Sequence, residues 1–220
     1  MLKRKQFAVI GLGRFGSNVC KELYQLGHEV LAIDANESIV DSLKEFSSHA
    51  AVANATDERM LKSLGLRNFD FAIVAIGEHI QPSILCTLLL KEMGIKQVWV
   101  KAQNIQHFKV LEKIGADRII QPEKEMAMRI AHQLDSEKII DYIELSKEYS
   151  IVELVATKKI SNNTLVQLDV RKKYGCTILA VKRRDEVNIS PLPNDFIYQD
   201  DILVVMGHKN DIKRFENRGM

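Results

Sequence analysis

Three glycines near the amino terminus have the spacing of a diphosphate-binding turn. They occupy positions 11, 13 and 16, after the apolar run 6–10 and before a helical pattern. In such a turn, Gly11 permits the tight bend, Gly13 lets the backbone approach a diphosphate, and Gly16 lets the helix pack against the strand. The first N–H groups of the helix and the positive end of its dipole then face the phosphates. We therefore expect an adenine nucleotide at this turn, rather than glycines that only shape an empty bend.

Asp34 supplies the acidic residue that such a site needs at the end of the second strand, about 20 residues after the glycines. Its carboxylate can accept hydrogen bonds from both hydroxyls of a ribose, and it would repel a 2′-phosphate. An NADP-type ligand is therefore disfavoured. ATP, ADP and NAD(H) each carry a ribose that suits this carboxylate, so the spacing does not choose among them.

Two charged residues have two interpretations each. Arg14 lies in the first helical turn, where the helix dipole disfavours a cation unless a polyphosphate is bound. It is either a phosphate ligand or a solvated surface arginine. Glu123 follows the sixth strand. Beside phosphates a carboxylate needs a divalent cation, such as Mg²⁺ or Ca²⁺, between them, whereas at the start of the next helix it would only interact with the helix dipole.

The elements that must position these residues follow from the hydrophobic pattern. The first half of the chain alternates short apolar runs with helical patterns, which predicts a parallel sheet with helices on both faces. The predicted strands are 6–10, 29–33, 50–53, 71–76, 97–101 and 118–121, and the predicted helices are 15–26, 39–46, 58–64, 81–92 and 105–114. Open sheets of this type bind ligands at the carboxyl ends of their strands. The further candidates at those ends are Asn54, Ala55, Ile76, Gly77, Lys101, Ala102 and Gln103.

The pattern changes after a linking helix predicted at 124–134. We place a domain boundary in the polar stretch 135–137, so that residues 1–123 form a Rossmann-type domain and residues 135–220 a small α+β domain. The pattern of the second domain predicts strands 139–144, 151–157, 177–181 and 202–206, with helices at 164–174 and 210–217.

Composition narrows the function classes. The 31 Lys and Arg residues nearly cancel the 29 Asp and Glu residues, which gives no electrostatic reason to expect nucleic acid or an anionic lipid surface as a partner. Cys20, Cys86 and Cys176 are far apart and form no C-x-x-C pair, which indicates a reducing compartment and a cytoplasmic protein. No apolar run is long enough to span a membrane, so a membrane role would require a partner.

The sequence lacks the familiar motifs of a catalytic site. It contains no nucleophile elbow, no H-E-x-x-H and no Tyr-x-x-x-Lys pattern, and the second domain is small for a substrate cleft. A nucleotide sensor that is not an enzyme is therefore the favoured interpretation. An NAD-dependent oxidoreductase and a DNA-binding redox sensor stay as alternatives, although the basic runs 171–173 and 182–184 that the latter would use are short.

Several strings resemble one family. Phe7–Gly16, Gly27–Asp34 and Gly115–Glu123 are similar to the RCK (regulator of K+ conductance, KTN/TrkA-N) proteins, and in particular to the cytosolic subunits of bacterial Ktr potassium-uptake systems. Tyr174–Ala180 and the loop at Ser190 resemble the RCK C-terminal domain, so the resemblance covers essentially the whole chain. It implies a Rossmann-type parallel sheet, the RCK N-terminal domain, followed by a small α+β RCK C-terminal domain.

The resemblance also implies a function. Such subunits bind ATP, ADP or NAD(H), are not enzymes, and form homodimers that assemble into an octameric ring beneath a membrane potassium-translocating subunit of the KtrB/KtrD type. The nucleotide changes the shape of the ring and with it the K+ flux. The chain would then be cytoplasmic and peripheral to the cell membrane through the transporter subunit.

Carried over by position, the resemblance adds ligand contacts in both domains. Together with the spacing, it gives these candidate nucleotide contacts: Gly11, Gly13, Arg14, Phe15, Gly16, Asp34, Ala35, Asn36, Asn54, Ala55, Ile76, Gly77, Glu78, Lys101, Ala102, Gln103, His107 and Glu123. Glu123 is also the expected metal ligand. Cyclic di-AMP is expected at a dimer interface of the second domain, where the matching residues are Asp169, Arg171, Ile178, Asn188 and Pro191.

Overall fold

The computed structural model describes residues 4–136 and 138–220. The chain divides into two compact units, Met1–Pro122 and Glu123–Met220. Within the described residues, no helix combines the length and the apolar character that crossing a membrane requires. The domain boundary expected at 135–137 includes Glu137, which lies outside the described residues.

The first unit is a parallel sheet of six strands with helices on both faces, as predicted. Its elements are β1 (Gln6–Ile10), α1 (Arg14–Gln25), β2 (Glu29–Asp34), α2 (Glu37–Ser42), β3 (His49–Val52), α3 (Glu58–Ser63), β4 (Phe71–Val74), α4 (Ile80–Glu92), β5 (Gln97–Lys101), α5 (Ile105–Ile114) and β6 (Arg118–Ile120). The strand order is β3-β2-β1-β4-β5-β6, which is the order of a Rossmann sheet. The chain adds β2 and β3 on one side of β1 and then β4, β5 and β6 on the other side. The switch point therefore lies between β1 and β4, and it opens a crevice at the carboxyl ends of the strands.

The two faces of this sheet have separate cores because successive side chains of a strand point to opposite faces. Val9 of β1 packs with Cys20 of α1 on one face. Ile10 packs with Leu90 of α4 and Leu111 of α5 on the other face. The central strands β1 and β4 are therefore covered on both sides, which explains why their sequences show no polar alternation.

The helix predicted at 39–46 is shorter and begins earlier. The structure has α2 at Glu37–Ser42 and a separate 3₁₀ turn at Lys44–Phe46. The earlier start has a local cause, because the Oδ1 atom of Asn36 accepts the Ser38 N–H group at 3.0 Å and caps the helix.

The second unit is built on an antiparallel sheet. Its elements are α6 (Pro122–Leu134), β7 (Ile139–Glu144), β8 (Tyr149–Val155), β9 (Asn163–Thr164), α7 (Leu165–Leu168), α8 (Val170–Tyr174), β10 (Thr177–Arg183), β11 (Glu186–Asn188), β12 (Phe196–Ile197), β13 (Ile202–His208) and α9 (Lys209–Arg214), followed by a π-helical turn (Phe215–Gly219). The sheet order is β11-β10-β13-β8-β7, and β9 pairs with β12. Leu154, Leu203 and Phe215 lie in a core of its own, so the predicted small α+β domain is confirmed as a fold.

Three features of this unit differ from the prediction. The helix predicted at 164–174 is broken at Asp169, whose φ of 44° is left-handed and ends one helix before the next begins. The short strands β9, β11 and β12 were not predicted, because two- or three-residue strands leave almost no alternation to detect. The helix predicted at 124–134 begins at Pro122, since proline is favoured in a first helical turn.

Helix α6 is fastened to β7 by side chains. The Arg129 Nε atom donates to Asp141 at 2.7 Å, and this hydrogen-bonded guanidinium holds the pKa of the Asp141 carboxyl below its usual range. The ring of His132 stacks on that of Tyr142 with centroids 4.0 Å apart. At its other end, α6 follows β6 after one intervening residue, Gln121.

Candidate nucleotide-binding site

Two of the motif glycines are required by close backbone packing. Gly11 has a φ of 89°, and a Cβ atom there would lie 2.8 Å from the Ile76 backbone nitrogen. A Cβ atom on Gly16 would lie 1.9 Å from the carbonyl oxygen of Gly11. The first turn of α1 therefore sits directly on the end of β1, beside β4, because neither position carries a side chain.

Gly13 has a different reason to be glycine. It precedes α1 with an ordinary φ of −64°, and a Cβ atom there would meet nothing within 4 Å. No side chain caps α1, and its first turn contains no acidic residue. Because the first N–H groups of a helix lack intrahelical acceptors, this end of α1 can receive an anion that approaches the backbone closely at Gly13.

Asp34 is fixed beside this turn by two backbone groups. Its Oδ2 atom accepts the Leu12 N–H at 2.7 Å, and its Oδ1 atom accepts the Asn36 N–H at 2.9 Å. A carboxylate offers about four lone-pair positions, so the half-buried group retains acceptor capacity for two ribose hydroxyls. The prediction placed Asp34 at the end of β2 but did not foresee that it also holds the glycine turn.

The ends of β4 and β5 place further candidates near the first turn of α1. The Lys101 Nζ atom lies 3.8 Å from the position of a Cβ atom on Gly77, and 5.8 Å from the centroid of the Phe15 ring. The structure therefore brings Phe15, Gly77 and Lys101 together. The exposed Arg14 is their neighbour in the same turn of α1.

Two asparagine candidates are occupied by local hydrogen bonds. The Oδ1 atom of Asn36 caps α2, and the Oδ1 atom of Asn54 accepts the Thr56 N–H at 3.0 Å. A ligand contact with either side chain therefore falls to the amide nitrogen. The remaining candidates follow strands at the same end of the sheet: Ala35 after β2, Ala55 after β3, Ile76 and Glu78 after β4, and Ala102 and Gln103 after β5.

His107 is buried rather than lining an open surface. It is 1% exposed, its Nδ1 atom accepts the Gln103 N–H at 3.3 Å, and its Nε2 atom has no partner among the described residues. Burial lowers the pKa of this imidazole, because desolvation penalises the charged form. His107 therefore fixes the segment after β5 as a neutral ring.

Glu123 lies exposed in the first turn of α6. Among residues 4–136 and 138–220, no group of three or more His, Cys, Asp or Glu side chains is arranged to hold a metal ion. A cation site at Glu123 stays a prediction.

The residues predicted to bind cyclic di-AMP are spread over several elements of the second unit. Asp169 lies between α7 and α8, exposed Arg171 is in α8, and half-buried Ile178 is in β10. Asn188 ends β11, where its Nδ2 atom donates to Asp195 at 3.0 Å, and Pro191 lies in the following loop.

Sequence reasoning missed one polar residue at the glycine turn. The Ser17 hydroxyl, in the second turn of α1, donates to the Leu12 carbonyl oxygen. No sequence period or spacing predicts such a bond, because the three-dimensional shape of the turn decides which carbonyl group the serine hydroxyl meets.

Comparison with known proteins identifies the family. The TrkA-N domain model matches residues 7–122 and the TrkA-C domain model residues 149–218. The chain is 60% identical to the Ktr system potassium uptake protein A of Bacillus subtilis (strain 168), over 100% of this chain and 99% of that protein. It is 55% identical to the Ktr system potassium uptake protein C of the same organism, over 98% and 97%, and 40% identical to protein A of Vibrio alginolyticus, over 94% of each.

Solved structures support the fold. A structure described as the GsuK channel matches with a TM-score of 0.69 at 17% identity, over 98% of this chain and 39% of that chain. The GsuK channel bound to NAD matches with a TM-score of 0.67 at 16% identity, over 100% and 40%. The resemblance predicted from the sequence is therefore confirmed: the chain belongs to the RCK (KTN/TrkA-N) family, as do the Ktr system potassium uptake proteins A and C.

Proposed function

We propose that this chain is a cytosolic regulatory subunit of a potassium-uptake system, in which an adenine nucleotide bound to the first unit controls K+ flux through a membrane subunit. The observation that carries the proposal is the uncapped start of α1, seated on Gly11 and Gly16 with the Asp34 carboxylate fixed beside it. Full-length similarity to a Ktr system potassium uptake protein supports the link to potassium uptake. No observation favours the alternative of an NAD-dependent oxidoreductase.

A ligand can switch such a subunit only if two of its states bind that ligand with different affinity. ATP and ADP differ by one phosphate, so the residues that discriminate between them have to reach it. Arg14 is the proposed phosphate ligand, because an exposed cation at the start of α1 is favourable only beside an anion. Glu123 is proposed to act through a bound divalent cation, Mg²⁺ or Ca²⁺. NAD(H) is the alternative ligand of the same crevice.

Calorimetry with ATP, ADP and NADH tests the site. We expect Asp34→Ala to weaken every one of these ligands, because each carries a ribose, and Arg14→Ala to weaken ATP. Asp117→Ala is the matched control, since the Asp117 Oδ2 atom also accepts a backbone N–H, that of Val98 at 2.7 Å, but before β6 at the opposite end of the sheet. Equal affinities for Asp34→Ala and wild type would place the ligand elsewhere. Sustained turnover of ATP or NADH would contradict the regulatory role.

The second unit is proposed to bind cyclic di-AMP at an interface between two copies, with Asp169, Arg171, Ile178, Asn188 and Pro191 as contacts. Exposed Arg171 is the residue of this set suited to a phosphate. In the same calorimetric series, Arg171→Ala is expected to weaken cyclic di-AMP and to leave ATP unchanged. Loss of ATP binding in this variant would show that the two ligands do not have separate sites.

A further inference from the structure

The carbonyl groups of the glycine turn decide whether a diphosphate can be received there. An anion is attracted by N–H groups and repelled by carbonyl oxygens, so the carbonyls of residues 11–13 have to be turned away from it. Backbone packing fixes two of them. The Gly13 oxygen accepts the Ser17 N–H at 2.9 Å, and the Gly11 oxygen lies where a Cβ atom on Gly16 would come within 1.9 Å of it.

The third carbonyl, that of Leu12, is fixed by a side chain. The Ser17 hydroxyl donates to it at 2.5 Å. The peptide group on the other side of Leu12 is fixed as well, because its N–H donates to Asp34 at 2.7 Å. The Leu12 side chain is 2% exposed and anchors this residue in the core. Leu12, which is buried, thus bonds through its N–H to Asp34, the proposed ribose ligand, and through its carbonyl to Ser17, next to the turn proposed to bind the diphosphate.

We infer that Ser17 is a positioning residue for the diphosphate: its hydroxyl holds the Leu12 carbonyl toward α1, so that the turn presents N–H groups to the ligand. This inference rests on the proposed function. Without the hydroxyl, the Leu12 carbonyl loses its partner, and its peptide can rotate the oxygen toward the phosphates. Ser17 itself need not touch the nucleotide for this effect.

The test measures ADP affinity by calorimetry for wild type, Ser17→Ala and Ser17→Thr. We expect Ser17→Ala to weaken ADP by about 3- to 10-fold, the equivalent of one hydrogen bond, and Ser17→Thr to stay within about twofold of wild type because it keeps a hydroxyl. Ser63→Ala is the matched control. Its hydroxyl also donates to a backbone carbonyl, that of Met60 at 2.8 Å, but at the far end of α3.

Chemical denaturation of each variant separates positioning from stability, since ADP affinity is then measured where every variant is folded. Ser17→Ala with wild-type affinity would overturn the inference, and so would a Ser17→Thr variant as weak as Ser17→Ala. Failure of the wild type to bind ADP would instead overturn the proposed nucleotide site itself, so the two failures are distinguishable.

Discussion

Asp34 has a structural task in addition to its proposed role as a ribose ligand. Its two oxygens accept backbone N–H groups of Leu12 and Asn36, which fix the glycine turn and the residue that caps α2. Removing the carboxylate therefore takes the acceptor away from two backbone N–H groups as well as from the ribose hydroxyls. For this reason the Asp34→Ala measurement is paired with Asp117→Ala, which removes a bond to the backbone N–H of Val98 together with the Asp117 ion pair to Lys91.

We expect His107 to make the first unit sensitive to acid. The folded protein holds this buried ring neutral with a lowered pKa, whereas the unfolded chain takes up a proton near the ordinary value of about 6.5. The stability that it supports is therefore complete above about pH 6.5 and falls as the pH drops below that value, by up to about 1.4 kcal/mol per pH unit. We expect His107→Asn to flatten this part of the pH profile of unfolding, because Asn does not titrate but can still accept the Gln103 N–H.

The unfolding free energy, measured with urea between pH 7.5 and 5.5, checks this expectation. His49→Asn is the control, because it makes the same replacement at an exposed position on β3. A His107→Asn profile as steep as that of wild type would mean that other groups cause the acid sensitivity.

At the level of elements, we expect replacement of Gly16 to disrupt the contact between α1 and β1, and replacement of Gly13 to leave it intact. Gly16→Ala places a Cβ atom 1.9 Å from the Gly11 carbonyl oxygen, and backbone atoms on both sides cannot yield without separating the helix from the strand. We expect a loss of about 2–4 kcal/mol in unfolding free energy, together with loss of nucleotide binding. Denaturant unfolding and calorimetry check both.

Gly13→Ala is the companion variant. Its φ of −64° suits alanine and the added Cβ atom meets no protein atom within 4 Å, so we expect a cost below about 1 kcal/mol. The methyl group would instead occupy the space where a diphosphate approaches the backbone, and we expect ADP to bind at least about tenfold more weakly. A Gly13→Ala variant that binds ADP normally would contradict the proposed position of the diphosphate.

The first unit could be predicted closely because its main strands and helices are long enough to show a clear hydrophobic pattern in the sequence. β1, β5 and α5 have the predicted bounds, since buried apolar runs and helical periods mark them. The second unit gave weaker signals. Its broken helix depends on a left-handed Asp169, and β9 pairs with β12 although two helices and two strands lie between them in the chain, which no local pattern encodes.

The same contrast holds at the site. Spacing alone located the glycine turn and Asp34, because their order along the chain follows from the topology of the sheet. The bonds from Ser17 to Leu12 and from Gln103 to His107 depend on how a turn and a helix end are shaped in three dimensions. No sequence period reports such contacts, so their residues appear only in the structure.

At the level of the whole molecule, an apolar stripe on α6 is exposed to solvent in the single chain. Met126, Ile130 and Leu134 lie one turn apart on α6 and are 50%, 46% and 82% exposed. We expect such an apolar face to be covered by another copy of the chain. The octameric ring that the family resemblance implies predicts a mass near eight times the 25.0 kDa of one chain in light scattering, and we expect Ile130→Asp to lower it.

Gel filtration with ATP and with ADP extends this measurement, because the proposed switch changes the shape of the assembly rather than its mass. We expect the same mass and a different elution volume with the two ligands. A protein that stays at 25.0 kDa at micromolar concentration would exclude the ring and leave the regulatory proposal without its mechanism.

The single residue between β6 and α6 has a mechanical consequence. Pro122 locks its own φ and restricts Gln121 to extended geometry, so the connection has few bonds about which it can rotate. Rotation at this junction therefore falls mainly to the ψ angle of Pro122. Because Arg129 also bonds the far half of α6 to β7, this helix has little freedom to turn independently of the sheet of the second unit.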